Sequence, residues 1–206
     1  MNLTEAVKAA GVVGAGGAGF PTHVKLSAKA ECFLVNAAEC EPLIETDKYL
    51  CRPFPDRVVA AAVAVAGHLG AKRTVIALKG KYHAEITALE GAISRSGAQV
   101  ELFRMKTFYP AGDEQTMVQQ VTGRSVPERG LPLDVDNVGT LLNIQDALEG
   151  TPVTEKYLSV VGEVKEPILL KVPVGTALTA CVAEARPNLA DYALIVGGPM
   201  MGKPLT

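Results

Sequence analysis

Gly11-Val12-Val13-Gly14-Ala15-Gly16-Gly17-Ala18-Gly19-Phe20-Pro21-Thr22-His23-Val24-Lys25 is the stretch on which the reading of this chain turns. Five glycines in fifteen residues serve no packed core. Without a Cβ, such a run tolerates positive φ and lets backbone N–H groups approach a ligand closely and point at it. Phosphate rewards that arrangement best. A helix opening near Phe20-Pro21 would add the positive end of its dipole, and Lys25 a full charge.

Outward from this loop, residues 3–10 read as a short helix stopped by Gly11, and Cys32-Phe33-Leu34-Val35-Asn36 as a buried strand. Residues 43–51 read as a helix broken at Pro53 and Pro55, and residues 56–69 as a buried helix closed by Gly70. The pattern repeats with a strand at 74–78, a helix at 82–96 and a strand at 99–103. Buried strands alternating with helices predict an α/β fold, a parallel sheet with helices on both faces. Ligands of such sheets bind beyond the carboxyl ends of the strands, which places residues 36–41, Lys79-Gly80-Lys81 and residues 109–114 along one rim. A helix at 114–121, a proline-rich loop at 126–133 and a helix running to about 148, capped by Asp136 or Asn137, complete the first domain. From Tyr157 two strands around Lys165-Glu166-Pro167, a helix at 177–185 and a strand at 192–196 form a small ββαβ unit. The expected domains are therefore 1–152 and 153–206, with the chain breaking off in a glycine-rich turn at its end.

The composition narrows the function. A net charge of −2 gives no footprint for nucleic acid or an anionic membrane. The most apolar run, residues 58–66, is far shorter than the roughly 20 residues of a spanning helix. The N-terminus lacks a signal pattern, so the expected location is cytoplasmic, without direct membrane insertion. Cysteines at 32, 40, 51 and 181 have no metal or cluster spacing, and His23, His68 and His83 are scattered, so no metal ligands are assigned.

Residues 14–19 also satisfy G-x-G-x-x-G, with Glu39 twenty residues beyond Gly19, but the strand that should feed a dinucleotide turn is missing before Gly14. Asn36-Ala37-Ala38-Glu39-Cys40-Glu41-Pro42 sets an amide and two carboxylates at a strand end, suited to a planar heterocycle or to hydroxyl donors. Tyr109-x-x-Gly112-Asp113-Glu114 reads equally as a ligand loop or as ordinary acidic chemistry at a helix start.

Taken in order, the glycine loop with Lys25, Asn36-x-x-Glu39-x-Glu41-Pro42, Tyr109-x-x-Gly112-Asp113-Glu114 and Asn137-Val138-x-Thr140 resemble the FMN-binding fold of the NADH-oxidising subunit of respiratory complex I. The resemblance is closer to the family of PduS cobalamin reductases and RnfC-like subunits. It covers essentially the whole chain and implies that the ββαβ unit is a β-grasp domain of the soluble-ligand-binding (SLBB) type. It implies an FMN-dependent, NADH-oxidising electron-transfer enzyme, a corrinoid reductase of a propanediol-utilisation microcompartment. The alternatives are an RnfC-type subunit of a membrane electron-transport complex and a non-catalytic scaffold that binds a corrinoid or a partner.

The resemblance also assigns residues. Gly14, Gly16, Gly17, Ala18, Gly19 and Lys25 would hold the FMN phosphate and ribityl chain, with Asn137 and Thr140 at the phosphate end. Asn36 and Glu39 would face the flavin, while Tyr109, Gly112, Asp113 and Glu114 shape the site. Phe20 and Glu41 would meet NADH, with Glu41 the catalytic residue. Ala15, Ala38 and Gly139 stand where complex I has arginine, aspartate and glutamate, and nothing is carried over there. Four-iron clusters are expected only in a segment beyond residue 206. A corrinoid adenosyltransferase or other electron-acceptor protein and microcompartment components are the implied partners.

Overall fold

The computed structural model describes residues 2–127 and 133–205. It divides into two compact units, Met1–Ala38 with Asp47–Val153, and Glu39–Thr46 with Thr154–Thr206.

The first unit is built on a four-stranded parallel sheet in the order β3-β2-β1-β4, formed by β1 (Cys32–Asn36), β2 (Arg73–Lys79), β3 (Glu101–Met105) and β4 (Leu133–Asn137). β1 and β2 are the central pair, and their continuous apolar runs are buried on both faces, as a covered parallel sheet requires. Around them run α1 (Leu3–Ala9), α2 (Thr22–Lys25), α3 (Thr46–Leu50), α4 (Pro55–Leu69), α5 (His83–Ser96), α6 (Glu114–Thr122) and α7 (Val138–Leu148). Cys32 and Leu34 of β1, with Val75, Ala77 and Val135, pack against Met117, Val118 and Val121 of α6. Strand alternation turns Phe33 and Val35 to the other face, where α4 packs on β1 and β2. α4 carries proline at its first turn and ends on Gly70 at φ 74°, a backbone that glycine adopts without a Cβ penalty. Arg57 of α4 clamps α7 through Asp146 at 2.6 Å and Glu149 at 3.0 Å.

Four elements differ from the sequence reading. β3 begins at Glu101 rather than 99, after a turn in which Val100 N–H donates to Ala98 O. α3 spans only Thr46–Leu50, and α2 starts at Thr22, after Pro21. The fourth difference is β4, which occupies residues read as loop and helix start. Leu-Asp-Val-Asp-Asn carries a single buried aliphatic, Val135, and becomes a strand because β1 offers a parallel edge, with Asn36 in register with Asn137. The loop expected at 126–133 lies largely outside the described residues.

The second unit contains an antiparallel hairpin, β5 (Glu155–Val160) with β6 (Ile168–Pro173), then α8 (Leu178–Glu184). The expected last strand is shorter, β7 (Leu194–Val196), and pairs with β8 (Lys203–Leu205) in a second hairpin. Residues 39–46 cluster with this unit, although in sequence they follow β1 directly. Among the described residues no helix is long and apolar enough to cross a membrane.

Candidate functional site

In the first unit the chain grows the sheet from β1 to β2 to β3 and then returns to the free side of β1 as β4. The carboxyl ends of β1 and β4 therefore form the topological switch point, the crevice where open α/β sheets take ligands. Asn36 and Asn137 end these two strands as register partners.

Asn137 caps α7: its Oδ1 accepts from Gly139 N–H at 2.8 Å, and its Nδ2 donates to Asp47 Oδ2 at 2.7 Å. Gly139 is closely surrounded: a Cβ there would lie 3.1 Å from Asn137 Oδ1 and 3.3 Å from the Ala15 Cβ. The glycine loop reaches the same helix start. Ala15 N–H donates to the hydroxyl of Thr140, a fully buried residue, at 2.9 Å. The neck of the loop is closed by Gly14 N–H to Phe20 O at 2.9 Å and by a bridge between Val13 and Pro21. Gly17 and Gly19 have φ of 122° and 65°, and a Cβ on either would meet nothing within 4 Å. Their glycines are required by conformation, on a backbone that opens onto free space.

Asn36 performs the corresponding task on β1. Its Nδ2 donates to Gly112 O at 2.7 Å and its Oδ1 accepts from Ala38 N–H at 3.1 Å, which ties the 109–114 turn to the strand end. Ala111 anchors that turn in the core. Asp113 caps α6 through Thr116 N–H at 2.9 Å, and Glu114 stands in its first turn, so here the helix-start reading holds. Tyr109 and Phe20 expose about half of their surfaces, at 46% and 50%.

Lys25 lies against the acidic residues of β4. Its ammonium donates to Val135 O and to Asp136 Oδ1, the latter at 3.1 Å, and lies 3.4 Å from Asp134 Oδ1. Burial opposes its charge, but Asp136 and Asp134 outweigh burial and raise its pKa. Asp136, only 3% exposed, is pushed up to about 6 by burial, with Asp134 and Glu114 adding and Lys25 opposing. Sequence reasoning passed over this acid pair. The signal was Asp134-x-Asp136, two carboxylates at strand alternation on one face.

Glu39 and Glu41 belong to the second unit. Both oxygens of Glu41 accept backbone N–H groups, from Met200 at 2.9 Å and Met201 at 2.8 Å. The carboxylate expected at the NADH side is thus held by two backbone N–H groups of a glycine-rich turn. Gly198, at φ 97°, allows this approach, since a Cβ there would lie 2.5 Å from Glu41 Oε2.

Burial pushes the Cys32 and Cys51 thiols up, which keeps them protonated and unreactive. His68 is held between Thr4 Oγ1 at 3.0 Å and Leu26 O at 2.9 Å. A groove lined by Glu90, Val100, Leu102 and Arg104 lies along β3, at the opposite edge of the sheet from β4.

Residues 7–146 match the family model described as the Nuo51 FMN-binding domain. The chain belongs to this family. It is 44% identical to the cobalamin reductase PduS of Citrobacter freundii over the whole of this chain and 46% of that protein. It is 33% identical to one subunit of the Na(+)-translocating ferredoxin:NAD(+) oxidoreductase complex of Acetobacterium woodii, over 94% of this chain and 46% of that one. The chain thus spans about half the length of the curated relatives it matches. Among solved structures, an NAD+-reducing [NiFe]-hydrogenase in the air-oxidized state superposes with a TM-score of 0.86 at 30% identity, over 98% of this chain and 41% of that chain.

The residues at the switch point fit the family's cofactor. Positive-φ glycines over open space beside the start of an eleven-residue helix suit the anionic end of such a ligand, on a crevice whose shape the two strand-end asparagines hold.

Proposed function

We propose that this chain is the flavin-binding, NADH-oxidising part of a corrinoid reductase. The observation that carries the reading is the glycine loop docked by Ala15 N–H on Thr140, at the start of α7 and at the switch point between β1 and β4. The higher identity to PduS, 44% against 33% for the protein of the ion-translocating complex, favours the corrinoid reductase over the RnfC-type role.

Bound FMN would supply the chemistry that converts a two-electron donor into one-electron deliveries. The protein's contribution is placement. Backbone N–H groups of residues 16–19, beyond the two that close the loop at Gly14 and Ala15, would receive the phosphate beside the start of α7, and Asn137 and Thr140 keep that helix start in shape. Asn36 fixes the 109–114 turn, which forms a wall of the crevice. The exposed rings of Phe20 and Tyr109 offer apolar surface on which a nicotinamide or adenine can lie. The acceptor is a corrinoid, presented by an electron-acceptor protein such as a corrinoid adenosyltransferase in a propanediol-utilisation microcompartment.

Incubation of the purified protein with FMN, removal of free flavin and a visible spectrum test this reading. A retained band near about 450 nm that NADH bleaches is the expected result. A protein that stays colourless, while its circular dichroism reports an intact fold, would remove it.

A further inference from the structure

Lys25 is the only lysine of the glycine stretch, and the obvious role for it is counter-charge to a phosphate. Its surroundings point elsewhere. An ammonium has three N–H donors, and three oxygens already surround this one: Val135 O, Asp136 Oδ1 and Asp134 Oδ1. One cation against two carboxylates leaves the cluster net negative, the wrong field for a phosphate dianion. Among the described residues the second oxygens of both aspartates are buried without a hydrogen-bond partner, so the pair depends on Lys25 for compensation.

The place of Lys25 in the chain gives this contact a purpose. It is the last residue of α2, which follows the glycine loop directly, and its ammonium reaches β4, the strand that ends at the α7 cap Asn137. The loop is therefore fixed at three points. Gly14 closes on Phe20 at its neck, Ala15 is held by Thr140 just inside the neck, and Lys25 bolts its far root to β4.

We infer that Lys25 is a positioning residue that locks the glycine loop to β4 through Asp134 and Asp136, and that the phosphate charge of the ligand falls to backbone N–H groups and the start of α7. This rests on the flavin reading above. It also separates the two halves of the ligand chemically, since riboflavin has the ring and ribityl chain of FMN without the phosphate. A phosphate-binding lysine is felt only by FMN, whereas a loop-positioning lysine is felt by both.

The test is titration of the apoprotein with FMN and with riboflavin, for the wild type and for Lys25→Met. The variant should weaken both ligands by the same factor, about tenfold, the scale of one lost charge-assisted contact, and keep the wild-type FMN-to-riboflavin ratio. Loss of FMN affinity alone, with riboflavin unchanged, would overturn the inference and leave the flavin reading standing. A wild type that binds neither flavin would take the reading and the inference down together. Lys25→Met leaves two buried acids uncompensated, so the combined variant Lys25→Met, Asp134→Asn, Asp136→Asn carries the same comparison should the single one not fold. In the combined variant the melting temperature of the apoprotein should return to the wild-type value, while both flavins stay weakened by a common factor. Wild-type affinity for both flavins in that variant would reduce Lys25 to charge neutralisation and refute the positioning role.

Discussion

The turn at residues 14–19 and the turn at residues 197–202 are alike in composition and lie in different units of the chain. Both use positive-φ glycines, at Gly17 and Gly19 in one and at Gly197 and Gly198 in the other. They differ in where their N–H groups go. The second directs those of Met200 and Met201 to the carboxylate of Glu41, an anion supplied by the chain itself. The first directs one, from Ala15, to a neutral hydroxyl and opens the backbone at Gly17 and Gly19 onto space. A glycine-rich run therefore declares a capacity for anions without saying whether the anion is internal or a ligand.

The contrast can be broken in several places. The largest effect is expected beneath the first turn, at the acid pair that holds Lys25. Folding raises the Asp136 pKa to about 6, so between about pH 4 and pH 6 the folded protein keeps a proton that the unfolded chain has released. Stability should accordingly fall as pH rises through that window, by up to about 3 kcal/mol from this group. Asp136→Asn should flatten the slope in denaturant midpoints measured across that range, and an unchanged slope would show that another group titrates.

In the second turn, Gly198→Ala puts a Cβ 2.5 Å from Glu41 Oε2 on a backbone at φ 97°. Displacement of the carboxylate and the strained φ together should cost about 2 kcal/mol, read from thermal unfolding. Rapid hydrogen exchange at the Met200 and Met201 amides would accompany it. Thr140→Val removes the acceptor for Ala15 N–H while preserving shape, and should cost about 1.5 kcal/mol of stability. FMN retention measured after gel filtration should drop with it, whereas full retention would separate the Ala15 anchor of the loop from ligand binding. The smallest change is Glu41→Gln, which keeps one carbonyl acceptor and loses the charge, for about 1 kcal/mol and partial exposure of the Met200 and Met201 amides to exchange.

Much of the first unit could be read from residues alone. β1 and β2 are unbroken apolar runs closed by polar or glycine-containing turns, and α4, α5 and α6 each stop at a left-handed glycine. The strand-end asparagine Asn36, the α7 cap Asn137 and the glycine loop were likewise visible, because their side-chain chemistry and spacing are local. β4 was not, since Leu133 to Asn137 has too little apolar surface to announce a strand and gains that form from pairing with β1. Nor could the sequence say that Lys25 turns to Asp134 and Asp136, more than a hundred residues away, or that Glu41 turns to Met200 and Met201.

The sequence by itself determined which stretches could strand, coil or receive an anion, because propensity, glycine φ and side-chain donors act within a few residues. Only the tertiary structure decided which charges found one another. Pairing of charges depends on distances that the folded chain alone fixes, and in this protein it set Lys25 beside Asp134 and Asp136 and Glu41 beneath the amides of Met200 and Met201.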